Sequence, residues 1–251
     1  MFNIIKIFDE DSEKLKELNE IYDNAQFKSG QMWNLHKREY EDNSNKNNLQ
    51  MIDDTYSSKE AQKRNILNSK VYESYYDRSY KIINNATRAN ADLLHHTLKN
   101  GTSPYLFLKY TTGGYYKKHM DSQRQSDVRS DYSVSIFLND DYEGGELCVD
   151  IGTQEIKYKL KAGEALVYPT GISHRVAEVT SGERRACVFW VQSAIRDCRI
   201  RNVYKAIDRI AINHLVTEDL NAILDECKYI RNDLLRDFGD YKEHQILLGK
   251  E

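Results

Sequence analysis

Seven short apolar segments between residues 105 and 193 constrain this chain more than any other feature. They are "YLFLKYT", "YSVSIFLND", "GELCVDI", "EIKYKL", "EALVYPT", "HRVAEV" and "RACVFWVQS". Each is rich in aromatic and β-branched residues, and glycine or charged turns separate them, so each is expected to be a strand. In "YSVSIFL", Val134, Ile136 and Leu138 alternate with Ser133, Ser135 and Phe137, which is the two-residue period of a strand. Regularly spaced short strands of this kind build a sandwich or a jelly roll.

The flanks read differently. A short strand is expected over the first eight residues, followed by a helix in "DSEKLKELNEIYDNA", where Leu15, Leu18 and Tyr22 share a face and Asp11 or Ser12 caps it. Residues 24–56 are polar and asparagine-rich and read as a loop by composition. Ser57 and Glu60 have capping-box spacing for a second helix. A longer helix is expected over 74–99, with Gly101 as its C-cap. After Gln192 helix returns in two stripes: Ile200, Val203, Tyr204, Ile207 and Ile210, then Leu220, Ile223, Leu224, Cys227, Leu234 and Phe238. Helices, then a β core, then a helical pair make an α+β chain, and 251 residues suffice for one large domain with a real core.

Bulk charge excludes little but points nowhere in particular. The net charge of −3 gives no case for a nucleic-acid or membrane partner, and no apolar run approaches the roughly 18 residues of a spanning helix. The N-terminus turns acidic after eight residues and lacks a signal-peptide layout, so the cytoplasm is the expected compartment. Cys148, Cys187, Cys198 and Cys227 show no CxxC spacing, which fits free thiols in a reducing compartment.

The chemistry concentrates around "YTTGGYYKKHMDSQ". In extended chain, His119 and Asp121 point to the same face and can reach one point. An imidazole beside a carboxylate suits Fe(II), Mn(II) or Zn(II). His174, at a strand start 53 residues after Asp121, offers a second imidazole. Two histidines and one carboxylate form a facial triad that leaves coordination positions open, as a catalytic metal needs. Ten residues further on, across a turn at Gly182, Arg184 and Arg185 point to opposite faces of the next strand, so only one can face the core. A guanidinium there can grip a carboxylate with two parallel hydrogen bonds.

The ordered set Tyr110, His119, Asp121, His174, Arg184 resembles an iron- and 2-oxoglutarate-dependent dioxygenase of the prolyl-4-hydroxylase-like branch, most of all the bacterial PKHD-type hydroxylases. The matching stretches are "KYTTGGYYKKHMD", "SVSIFLNDDYEGGEL", "AGEALVYPTGISHRVAEVTSGERRACVFWVQSAIRD" and, upstream, "KNNLQ". The resemblance implies a double-stranded β-helix, a jelly-roll variant, as catalytic core over 104–193. It implies an N-terminal strand and helical support region over 1–103 and a C-terminal helical extension over 194–251, in one structural domain. It implies that His119, Asp121 and His174 hold Fe(II) and that Arg184, rather than Arg185, pairs with the far carboxylate of 2-oxoglutarate. Tyr110 matches a tyrosine that helps hold that carboxylate; Tyr116 has a family match of less definite role. O2 is the second cosubstrate, ascorbate the expected reductant, and succinate and CO2 the expected products. Related halogenases lack the carboxylate that Asp121 supplies, so hydroxylation is the expected outcome, most of all on a prolyl residue of a peptide or protein. The alternative is a catalytically silent jelly roll that binds metal or 2-oxoglutarate as a sensor or docks a partner.

Other residues take secondary roles. The segment 122–130 falls where relatives carry a substrate loop, and Arg124 and Arg129 are candidates to contact a peptide there. Gly144 and Gly145 are expected in a tight turn, and Trp190 is either core or pocket wall. The C-terminal stripes pack on the β core or form a dimer surface, so the chain is expected to be a monomer or a homodimer through those helices.

Overall fold

Antiparallel pairing joins the strands into two main sheets. In the computed structural model, which describes residues 2–30, 32–34, 39–41, 44–52, 74–213 and 221–239, the larger sheet has eight strands. Its order is β1 (Asn3–Lys6), β16 (Glu164–Pro169), β12 (Tyr132–Phe137), β19 (Glu183–Ser193), β8 (Leu106–Thr111), β6 (Leu49–Met51) and β2 (Phe27–Ser29), with β7 (Lys99–Thr102) also on β19. The smaller sheet runs β15 (Glu155–Tyr158), β14 (Leu147–Asp150), β17 (His174–Val176), β9 (Tyr115–His119) and β5 (Lys46–Asn47). Three two-stranded pairs complete the strands described: β3 (Met32–Asn34) with β4 (Glu39–Glu41), β10 (Arg124–Gln125) with β11 (Val128–Arg129), and β13 (Glu143–Gly144) with β18 (Val179–Ser181). From β8 to β19 the chain steps between the two main sheets repeatedly, which is the winding of a double-stranded β-helix. The α+β jelly-roll architecture expected from the sequence is therefore present.

Alternation along each strand sorts the core into two layers. On β12, Val134 and Ile136, with Leu138 just beyond, face outward into a cluster with Leu15, Leu18, Ile21 and Tyr22 of helix α1 (Glu13–Asn24). Ile82 and Ile83 of α2 (Tyr75–Ala89) and Leu93 of α3 (Ala91–Thr97) join the same cluster. Phe137, on the other face of β12, packs between the sheets with Leu108, Tyr110, Leu147, Val149, Leu166 and Val176. The whole β12 strand is buried, so its two serines on the inner face cannot be solvated surface. Each fully buried aliphatic chain here contributes about 1.5–3 kcal/mol.

Three sequence expectations change. The asparagine-rich segment is not a loop throughout: β2, β5 and β6 fall within it, β6 pairs with β8 of the core, β5 with β9, and β2 adds to the outer edge of β6. A polar composition hides these strands because they are short edge pieces whose stability comes from pairing, not burial. The helix expected over 74–99 is two helices. Asn90 adopts extended backbone, closes α2, and caps α3 by accepting a hydrogen bond from the Leu93 amide at 2.8 Å. The C-cap is Leu98 in the left-handed region (φ 49), while Gly101 lies in β7. The helix expected at Ser57 lies outside the described residues. Ser12 sits at the N-cap of α1, without a side-chain cap bond.

The C-terminal helices α4 (Cys198–Asn213) and α5 (Asn221–Phe238) lie at one end of the core. Tyr204 packs with Leu98 and Ile195, joined by Ile200, Leu234 and Leu235. Val203, Ile223 and Phe238 of the expected stripes are exposed instead. Polar bonds carry much of the docking: buried Arg201 donates to Asp131 at 3.1 Å, and Arg231 and His95 both meet buried Asp208 at 2.7 and 2.9 Å. All four cysteines are free thiols.

Gly163 ties the N-terminal strand to the core. Its carbonyl accepts from the amides of Ile7 and Phe8, its φ is +91°, and a Cβ there would lie 2.4 Å from the Phe8 carbonyl oxygen. Gly163→Ala is therefore expected to destabilise the fold by about 2–4 kcal/mol, read as a lower urea midpoint at unchanged slope.

Candidate metal centre

The minor sheet supplies the two imidazoles. His119 ends β9 and His174 starts β17, and the two residues are direct cross-strand partners. The tight entry to β9 explains the adjacent glycines. Gly113 has φ +82°, and a Cβ on Gly114 would lie 2.7 Å from the Thr111 carbonyl oxygen. Asp121 lies two residues beyond the end of β9 rather than within the strand. Its carboxylate still meets both rings. His119 Nε2 is 3.7 Å from Oδ1, and His174 Nε2 is 3.7 Å from Oδ2. One ligand atom from each of the three residues lies within 4.8 Å of the others.

Backbone carbonyls set the direction of both rings. His119 Nδ1 donates to the Lys117 carbonyl at 2.8 Å, and His174 Nδ1 donates to the Ile172 carbonyl at 3.0 Å. With Nδ1 protonated, each Nε2 keeps its lone pair and faces the carboxylate. Burial pushes the His174 imidazole down, against the pull of Asp121, which keeps the ring neutral and able to ligate. Tyr116 stacks on His119 with centroids 3.7 Å apart, and Tyr168 meets His174 edge-on at 5.2 Å. Burial raises the Tyr116 phenol to about 12, so it stays protonated.

The major sheet holds the carboxylate. Ser133 Oγ donates to Asp121 Oδ2 at 2.7 Å, and Trp190 Nε1 donates to the same oxygen at 2.9 Å. Ser133 and Trp190 are cross-strand partners on β12 and β19, so one rung of the sheet presents both donors. Burial would raise the Asp121 carboxyl, yet the group is held below its ordinary value, and the Ser133 hydroxyl and Trp190 N–H favour the charged form whatever the state of the imidazoles. The donor set of two neutral imidazoles and one carboxylate, with hydrogen-bonded outer partners, fits a divalent transition metal.

Arg184 and Arg185 part as their alternation requires. Arg185 faces the helices, bonded to Asp23, Glu183 and Asn19. Arg184 is 1% exposed on the inner face, opposite Tyr110 across the β8–β19 ladder. The rings of Tyr110 and Phe137 lie 5.2 and 4.9 Å from its guanidinium carbon. Among the described residues no carboxylate pairs with it, and its Nε has no hydrogen-bond partner. A buried cation in this state is shaped for an anionic ligand.

The structure brings together Tyr110, His119, Asp121, His174 and Arg184 and redirects others. Arg129 is not free for a peptide: it donates to Asp131 and to the Ser193 carbonyl at 2.8 Å. Arg124 donates to the Asp127 carbonyl within the β10–β11 hairpin. Trp190 is pocket wall with a polar task. Ser133 was legible only as a serine on one face of an otherwise apolar strand. Asn48, buried near Tyr110, gave no signal within a polar run.

Comparison with known proteins gives a consistent picture. Residues 105–192 match the model of the 2OG-Fe(II) oxygenase superfamily. A PKHD-type hydroxylase of Sphingopyxis alaskensis is 31% identical over 217 residues, covering 84% of this chain and 87% of that protein. One from Prochlorococcus marinus (strain NATL2A) is 37% identical over 161 residues, 63% of this chain and 73% of that protein. Among solved structures, a Pseudomonas putida prolyl-4-hydroxylase aligns with a TM-score of 0.49 at 15% identity, over 76% of this chain and 92% of that chain.

Removing an outer partner should loosen the metal site without breaking it. Trp190→Phe and Ser133→Ala are each expected to weaken divalent-metal binding by about 10- to 100-fold, measured by calorimetric titration with Mn(II).

Proposed function

We infer the reaction from one premise: the chain belongs to the PKHD-type hydroxylases of the 2OG-Fe(II) oxygenase superfamily. It is accordingly an oxidoreductase of the dioxygenase class. We propose that His119, Asp121 and His174 hold Fe(II), and that Arg184 and Tyr110 hold the far carboxylate of 2-oxoglutarate. One observation carries this reading: two Nε2 lone pairs and a carboxylate converge within 4.8 Å, and a buried arginine without an acidic partner shares the same interior.

Held by His119, Asp121 and His174, an iron ion would supply the O2 activation that couples decarboxylation of 2-oxoglutarate, to succinate and CO2, with hydroxylation of a substrate C–H bond. The chain's own residues do the positioning. Lys117 and Ile172 carbonyls fix the imidazole tautomers. Ser133 and Trp190 spend the outer lone pairs of Asp121 Oδ2, which orients the carboxylate toward the two Nε2 atoms. Arg184, with Tyr110 at its side, gives a long cosubstrate one fixed end in a water-poor interior. Tyr116 covers the outer ligand His119.

The proposed substrate is a prolyl residue of a peptide or protein, the class that the family resemblance implies. Ascorbate is the proposed reductant that restores Fe(II), and the free thiols fit a reducing compartment such as the cytoplasm. Among the described residues no helix is long and apolar enough to cross a membrane. Exposed Ile223, Tyr229, Ile230 and Phe238 support pairing through α5 where a homodimer forms.

Succinate formation from 2-oxoglutarate in air, with Fe(II) and ascorbate and a proline-rich peptide pool, tests the proposal. His119→Ala is expected to abolish it, and Arg184→Met to lower kcat/KM for 2-oxoglutarate by at least about 100-fold while Mn(II) affinity stays within about threefold. Iron-dependent binding with no succinate under any peptide would sink the reading.

A further inference from the structure

Two buried polar groups with unspent hydrogen-bonding capacity lie side by side in the interior. One is Arg184 Nε. The other is the hydroxyl of Tyr142, which is 2% exposed and has no hydrogen-bond partner. A buried, unpartnered polar atom costs about 1–3 kcal/mol, so a native chain retains one where something else satisfies it. Tyr142 is close enough to Arg184 that the guanidinium opposes the upward push of burial on the phenol. Gly145 fixes this closeness. Its φ is +66°, and a Cβ there would lie 3.0 Å from Tyr142 Cε2 and 3.2 Å from Arg184 Cδ. Only a residue without a side chain lets the ring and the arginine stem share that wall.

The neighbours of Arg184 leave the hydrogen-bonding task to few groups. Phe137 packs against the guanidinium but has no hydroxyl. Tyr110 has one, and its ring lies against Arg184 on the opposite strand. Buried Asn48 lies near Tyr110 and favours its ionised form against burial, and its own Oδ1 is unpartnered. Arg184 thus has two phenols beside it: Tyr110 on the opposite strand, and Tyr142, whose ring Lys159 covers at 4.9 Å and whose hydroxyl lies toward the guanidinium.

We propose that Tyr142 is a cosubstrate-binding residue: its hydroxyl donates to the carboxylate that Arg184 grips, and so selects 2-oxo acids that carry a second carboxylate. The proposal rests on the reading that this interior binds 2-oxoglutarate. It adds a donor that completes the carboxylate's in-plane partners, since a carboxylate accepts about four hydrogen bonds and a guanidinium supplies two in its bidentate grip.

Tyr142→Phe removes one oxygen atom and keeps the ring. The Mn(II)-loaded protein would be titrated calorimetrically with 2-oxoglutarate and with pyruvate, which lacks the far carboxylate, and unfolding midpoints taken with and without 2-oxoglutarate. The variant is expected to bind 2-oxoglutarate about 10- to 100-fold more weakly, the loss of one hydrogen bond to a charged group. Pyruvate binding is expected to stay within twofold (about the scatter of such titrations, far below a lost hydrogen bond). The unliganded midpoint should hold or rise, because an unsatisfied buried group has gone, while the stabilisation by 2-oxoglutarate shrinks. Unchanged 2-oxoglutarate affinity in the variant overturns the proposal. So does an equal loss for both ligands, or a lower unliganded midpoint or lost fold, each of which makes the hydroxyl structural. Failure of the unaltered protein to bind 2-oxoglutarate overturns the underlying reading instead.

Discussion

The Asp121 carboxylate joins the two sheets at the point where the sandwich opens. Its Oδ2 accepts from Ser133 and Trp190 of the larger sheet, and both its oxygens face histidines of the smaller one. A carboxylate buried among uncharged groups would drift upward in pKa and lose its charge. Here the two neutral donors, Ser133 and Trp190, work against that drift. The same bonds that keep the charge also aim it. Every other feature of the centre depends on this: the histidine Nε2 atoms, fixed by their own backbone partners, have something to converge upon.

The Arg184 side of the interior works on the opposite principle. Arg184 is among the largest fully buried side chains of the described residues, yet no carboxylate among them pairs with it and its Nε has no partner. Packing against Tyr110 and Phe137 offsets part of the desolvation through cation–π attraction, of the order of 1–2 kcal/mol at a buried site. The remainder is stored as unfavourable burial until an anion arrives. Asp121 is satisfied before a metal binds; Arg184 is not satisfied before a carboxylate does. The difference suits the proposed roles, a rigid template for a metal at one end and a guanidinium open to an anion at the other.

Much of this was legible in the sequence because short-range geometry determined it. The two-residue offset marked His119 and Asp121 as neighbours, although Asp121 lies beyond the strand and Ser133 and Trp190 aim it, and strand alternation separated Arg184 from Arg185. The seven strands likewise follow from local composition and turn residues. What was not legible depends on pairing across long separations. The polar strands β5 and β6 exist because β8 and β9 offer them edges, and nothing local marks Lys46–Asn47 or Leu49–Met51 as extended. Asn48 reaches Tyr110 only through that pairing. Ser133 and Trp190 become donors to one oxygen because β12 and β19 align them as cross-strand partners. The Asn90 break was hidden for a different reason: asparagine within a helical pattern is tolerated or caps, and its bond to the Leu93 amide decides which.

The C-terminal helices reach the same chemistry through three consecutive residues. Asp131 accepts from Arg129, from the Ser193 amide and from Arg201 of α4. Tyr132 accepts from Lys205 of α4 at 2.7 Å, and the Arg201 guanidinium lies 5.3 Å from its ring. Ser133 then turns inward to Asp121. Alternation makes this possible, since neighbouring side chains leave a strand on opposite faces. The start of β12 is therefore held on its outer side by a helix more than sixty residues away and on its inner side by the ligand carboxylate. Arg201 and Asp131 are buried to about the same degree, so their bond is costly to break from one side only. A docked α4 thereby fixes the backbone from which Ser133 donates, and the helical extension becomes part of what orients the metal ligand rather than an appendage to the core.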